Sequence, residues 1–182
     1  TDGGENAEAY FSFDGQRLIY QATRPGAGCD QIYTMNADGS DQRMVSTGKG
    51  RTTCAFFYPD GQSILYGSTH LASPDCPPKP GFERGYVWPI YAGYDIFRAR
   101  ADGSGLERPM VASASYPGVE VTIGRDGRIV FTSVRDGDME LYSMNGDGSD
   151  VRRLTRRVGP DGGAFFSPDG RSIVFRGRTL AD

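Results

Sequence analysis

A single histidine, two lysines, three cysteines and one tryptophan occur among the 182 residues of this chain. Each shortage excludes something. One histidine cannot build a His-rich metal centre, and His70, within "STHLASP", reads as a hydrogen-bonded loop residue. Lys49 and Lys79 stand against 18 arginines, and the net charge of −3 provides no basic surface of the kind nucleic acid requires. The densest basic run, "RRLTRR" (152–157), reads as a solvated outer strand, not a phosphate track. No apolar run approaches the ~18 residues of a membrane span. The opening "TDGGENAEAY" has neither the basic segment nor the apolar core of a targeting signal. There is no G-x-S-x-G nucleophile motif, so no catalytic residue, metal or cofactor is expected.

Glycine is plentiful instead, with 26 residues, alongside 12% aromatics and 37% hydrophobic residues. That composition belongs to a folded, turn-rich, all-β protein. Two phrases alternate along it. The first is "YFSFDGQRLIY" (10–20), "FFYPDGQSILY" (56–66), "TIGRDGRIVF" (122–131) and "FFSPDGRSIVF" (165–175). The second is "QIYTMNADGSD" (31–41), "DIFRARADGSG" (95–105) and "ELYSMNGDGSD" (140–150). Asp-Gly between apolar runs marks a hairpin, because Gly takes positive φ cheaply and Asp tolerates it. Each phrase therefore predicts strand–turn–strand, and each pair predicts four strands.

The first Asp-Gly recurs after 46, 66 and 43 residues. Without one insertion of ~20 residues, the period is that of a four-stranded propeller blade. Continuous apolar runs such as "SILY" and "SIVF" suit strands covered on both faces. The arginines in "QRMVS" (42–46) and "VRRLT" (151–155) suit an outer edge, where charge discourages stray pairing.

"FSPDGRSIVF" followed by "LYSMNGDGSDVRRLT" resembles the repeat of TolB-like β-propellers, named for the periplasmic component of the Tol-Pal system. The resemblance covers nearly the whole chain, although repeat three lacks Ser-Pro and is one residue shorter. It implies an all-β propeller of four-stranded antiparallel blades, about 3.5 of them here. Blade 1 is expected at about 7–46, blade 2 at about 52–111 with an insertion at 68–93, blade 3 at about 118–155, and a half blade at about 161–182. An outer strand cut at Thr1 and a half blade ending at Asp182 read as part of a longer polypeptide, or as an arc closed by other copies. The resemblance also implies a periplasmic or extracellular location.

Candidate sites follow from that architecture. First strands of blades are innermost, and their starts carry Glu8, Glu120 and Asp161, acids able to meet a cation or a basic peptide at the channel mouth. "NADGSD" and "NGDGSD" are turn chemistry, since neither Val45 nor Thr155 replaces the Glu that closes a calcium loop. The insertion holds Tyr86, Trp88 and Tyr91 on a proline-rich segment, as interface anchors or as a cap on the blades. Cys29, Cys54 and Cys76 all fall on the insertion face. A Cys54–Cys76 disulfide is expected, with Cys29–Cys76 as the alternative. The expected role is a non-enzymatic, extracytoplasmic protein-binding or scaffold module, with a protein or peptide partner or further blades. The competing expectations are the propeller domain of a prolyl-oligopeptidase-type serine peptidase and a self-assembling structural protein.

Overall fold

The computed structural model describes residues 4–79, 81, 83, 91–106, 109–110 and 118–178. Every regular element among them is a strand, and the strands form four antiparallel sheets. The first comprises β1 (Glu5–Phe11), β2 (Arg17–Thr23), β3 (Gln31–Asn36) and β4 (Arg43–Met44) in that order. The second holds β5 (Thr52–Phe57), β6 (Ser63–Ser68) and β7 (Asp95–Arg100). The third runs β8 (Gly118–Ile123), β9 (Ile129–Ser133), β10 (Glu140–Met144) and β11 (Arg152–Arg153). The fourth pairs β12 (Asp161–Phe166) with β13 (Ile173–Gly177). This is an all-β propeller arc built from four-stranded antiparallel blades.

Both kinds of Asp-Gly turn form as their chemistry requires. Gly39, Gly103 and Gly148 have φ of 88, 84 and 84°, and the preceding Asp accepts from the following Ser hydroxyl at 2.6 Å in all three. The segment expected to form the fourth strand of blade 2 falls largely outside the described residues. Even so, the Met110 amide donates to the Ile96 carbonyl at 2.8 Å, as Val45 does to Ile32 and Leu154 to Leu141. The chain path at the outer edge therefore repeats.

Strand alternation sends one set of side chains to the preceding blade and the other to the next. Ile64 and Tyr66 of β6 pack with Ile19 and Ile32 of the first sheet, whereas Leu65 packs with Val121 and Phe131 of the third. Val130 and Leu141 meet Ala164 and Phe166 in turn. The arc is not closed among the described residues. Val174 is 69% exposed, although its counterparts Ile19, Leu65 and Val130 are fully buried.

One recurring packing unit joins the last residue of each first phrase to the third residue of the second. A ring pair crosses from second to third strand in three blades: Tyr20–Tyr33, Tyr66–Phe97 and Phe131–Tyr142. Arg24 lies 5.2 Å from the Tyr33 ring centre, and Arg135 lies 4.7 Å from that of Tyr142. His70 takes this place in blade 2, with its ring 4.3 Å from Phe97 and Nδ1 2.8 Å from the Ser68 hydroxyl. Burial lowers its pKa, with Lys49 adding to the effect. The "RRLTRR" run also divides. Arg152 is solvated, but Arg153 turns inward to the buried Glu140 at 2.7 Å and Asp136 at 3.2 Å.

Candidate binding site at the channel mouth

Each innermost strand carries a register shift at one place: Ala7/Tyr10, Thr53/Phe56, Val119/Val121 and Gly162/Phe165. The residue responsible stands six positions before the first-turn Asp in every blade: Glu8, Cys54, Glu120 and Gly163. All four are left-handed, with φ of 50, 45, 53 and 63°. A bulge of this kind favours glycine, and other side chains pay for the conformation. Blade 4 uses glycine. The other three blades spend strain to place two carboxylates and a thiol at the axis.

Two residues further along each strand stand Tyr10, Phe56, Thr122 and Phe165. Tyr10 and Phe56 stack at 4.1 Å between ring centres. Phe165 meets them at 5.8 and 6.2 Å from the far side of the arc. In blade 3, Thr122 donates to the Ala164 carbonyl at 2.9 Å. A cavity of about 400 Å³ is thus walled by the bulge residues and the three rings, with Arg176 at one side.

The polar groups of this cavity are organised. Tyr10 donates its hydroxyl to Glu8, and the Gly163 amide donates to Glu120. Arg176, 79% exposed, lies 3.5 Å from Glu120. Burial lifts the Glu120 carboxyl above the ordinary range, against the opposing pull of the Gly163 amide and Arg176, while Glu8 adds to the rise. Cys54 is half-buried at the cavity wall, and burial pushes its thiol up to about 12, so it is a neutral wall and not a nucleophile. Burial and the bond to Glu8 likewise keep the Tyr10 phenol protonated.

Of the residues expected at the channel, Glu8 and Glu120 share this cavity. Asp161 does not line it. Asp161 lies deeper in the fold, 2% exposed, with its amide bonded to the Met139 carbonyl at 2.9 Å and Oδ2 unpartnered. Tyr91 is half-buried away from the axis, donating to the Pro78 carbonyl at 2.9 Å beside Tyr94. Tyr86 and Trp88 lie outside the described residues. The β6–β7 connection leaves from Ser68, which pairs with Thr52 at the start of β5. The described start of the insertion and the cavity therefore open on one face.

The expected Cys54–Cys76 bridge is replaced by Cys29–Cys76, with Cα atoms 5.8 Å apart, and Cys54 is free. Sharing a face was not enough. Cys54 points into the channel from an innermost strand, whereas residues 69–79 run outward along blade 1. There the Gly50 amide bonds the Pro74 carbonyl at 2.8 Å, and Cys76 reaches the β2–β3 loop.

Sequence reasoning passed over the rings and, having assigned Cys54 to a disulfide, its place in the channel wall. The signal was available: an aromatic pair recurs in "YFSFDG", "FFYPDG" and "FFSPDG". Phe57 and Phe166, the second residues of their pairs, enter blade–blade cores, and the first residue of each pair turns to the channel.

No protein-family model matches the sequence. The chain is similar to dipeptidyl-peptidase 5 of Porphyromonas endodontalis, at 35% identity over 81 residues, covering 44% of this chain and 11% of that enzyme. It spans between about a tenth and about half the length of the curated relatives it matches. Among solved structures, TolB from Agrobacterium tumefaciens superposes with a TM-score of 0.70 at 23% identity, covering 97% of this chain and 61% of that one. TolB from Acinetobacter baumannii gives 0.70 at 19% identity, covering 94% and 37%. The fold is that of a TolB-like β-propeller.

Proposed function

We propose that this TolB-like β-propeller is a non-catalytic, extracytoplasmic module that binds a protein partner on its insertion face. The observation that carries the reading is the cavity, where three blades accept left-handed strain to place Glu8, Cys54 and Glu120 beside the half-buried rings of Tyr10 and Phe56 and the exposed ring of Phe165. Strain retained at non-glycine residues concentrates where a fold does work. Tyr91 extends the proposed surface along the same face. A basic segment entering the channel mouth would meet the acids there. The Cys29–Cys76 disulfide supports an oxidising compartment.

Peptide display against the immobilised protein tests this. Selected peptides should carry basic residues, and Glu120→Gln should abolish their retention. Selection without basic enrichment, or retention equal on the variant, overturns the reading. The similarity to dipeptidyl-peptidase 5 favours a second reading, a propeller that accompanies a hydrolase domain in a longer polypeptide. Peptidase activity of the native polypeptide would decide for it.

A further inference from the structure

We propose that the channel-mouth cavity is a site for one alkylammonium group, held by Glu8 and Glu120 against the rings of Tyr10, Phe56 and Phe165. This deepens the protein-binding reading and rests on it only for the source of the group.

Charge comes first. Two carboxylates face one guanidinium, Arg176, in a cavity whose other lining groups are neutral. One negative charge is left over, which matches a monovalent cation. Arg176 is mostly exposed and only 3.5 Å from Glu120, the kind of pair that contributes little and yields to a competitor. It acts as an internal placeholder, a cation already drawn to the acid.

Shape and surface come second. Aromatic faces beside carboxylates attract organic cations, because the ring quadrupole and the apolar area act together. Phe165 is 42% exposed and so available to a ligand. A hard divalent ion needs six or more oxygens. Here two carboxylates, one of them already accepting an amide and the other a phenol, leave such an ion short of ligands. Rings and a protonated thiol supply none. The alkyl part of an ammonium group, by contrast, gains from all of them.

The group has two possible sources, a lysine side chain of a protein partner or a free small amine. Titrating the 182-residue chain with n-butylammonium, with tetramethylammonium and with acetyl-Gly-Lys-Gly-amide, followed by amide NMR, separates them. Saturable shifts at Glu8, Cys54 and Glu120 are expected with the amines. Glu8→Gln and Glu120→Gln, which keep the shape and one acceptor oxygen each, should weaken binding roughly tenfold or more. Phe165→Leu should weaken it several-fold, and Arg176→Gln should tighten it by removing the competitor. A lysine peptide binding more tightly than butylammonium assigns the group to a protein; equal affinity assigns it to a small amine. The absence of saturable shifts with any amine overturns the proposal. So does weaker binding in Arg176→Gln, or calcium chloride giving the same shifts with the same dependence on both glutamates. If amines bind while peptide display selects nothing basic, this site stands and the protein-partner reading falls.

Discussion

The two faces of the arc repeat in opposite ways. On the turn face, sequence and conformation recur together: Asp-Gly with a supporting Ser in "DGS", at φ of 84–88°. At the channel mouth only the conformation recurs, while the side chain changes from Glu to Cys to Glu to Gly. A residue that recurs with its backbone is there for the backbone. The left-handed position after each turn holds only Asp41, Gly105 and Asp150, residue types such turns tolerate, whereas the channel position holds Glu and Cys, whose side chains line the cavity. The first face builds the blade and the second makes it particular.

The largest expected effect separates the bridged cysteines from the channel cysteine. Cys76→Ser should lose about 4 kcal/mol of unfolding free energy, the loop-closure value for a separation of 47 residues. Cys54→Ser should lose much less, and non-reducing peptide maps should show Cys54 alone alkylated. Next come two turn glycines of similar φ, Gly39 at 88° and Gly103 at 84°. Gly103→Ala should cost about 3 kcal/mol, because its new Cβ would sit 2.9 Å from the Val45 backbone. Gly39→Ala meets nothing within 4 Å and should cost only about 1 kcal/mol. Equal losses in urea melts would show that the contact with blade 1 is unimportant.

The opposite substitution sharpens the contrast at the channel. Glu8→Gly should raise stability by about 1 kcal/mol by relieving the left-handed strain, and should abolish amine binding. Destabilisation would show that the bond from Tyr10 outweighs the strain.

Smallest are the pH effects, which differ in sign between the faces. Asp14, Asp38, Asp102, Asp147 and Asp169 are held below the usual carboxylate range by serine hydroxyls and following amides. Their stabilisation is full above the unfolded value of about 4 and is lost as pH falls through the folded values. Glu120 is raised, so it makes the native state less stable as pH rises through its titration, with Glu8, Arg176, Tyr10 and Cys54 facing it. Glu120→Gln should remove that decline and leave melting temperature near neutrality unchanged or higher. Melting curves against pH for the two proteins check both signs.

The fold was legible because hairpin turns are local: Asp-Gly dictates its own φ, and seven copies set the blade period. The acids Glu8 and Glu120 were legible because counting back from each Asp-Gly reaches the channel. The disulfide partner was not, since repeat register gives the face on which a cysteine lies but not its distance from the axis. Asp161 failed for a related reason. It stands two residues ahead of its blade's bulge, where the side chain packs into the fold instead of facing the cavity. The strain at Cys54 was hidden because nothing in "TTCAFF" announces positive φ.

The Cys29–Cys76 bridge ties a loop of blade 1 to the segment leaving β6 of blade 2. Repeat arrays otherwise open one unit at a time from their ends. A covalent tie between neighbours abolishes that order for this pair. Amide protons of β2, β3, β5 and β6 should therefore exchange together and slowly, through one shared opening, while those of β12 and β13 exchange earlier. Reduction would divide the slow group in two, so the bridge sets how many parts the molecule comes apart in.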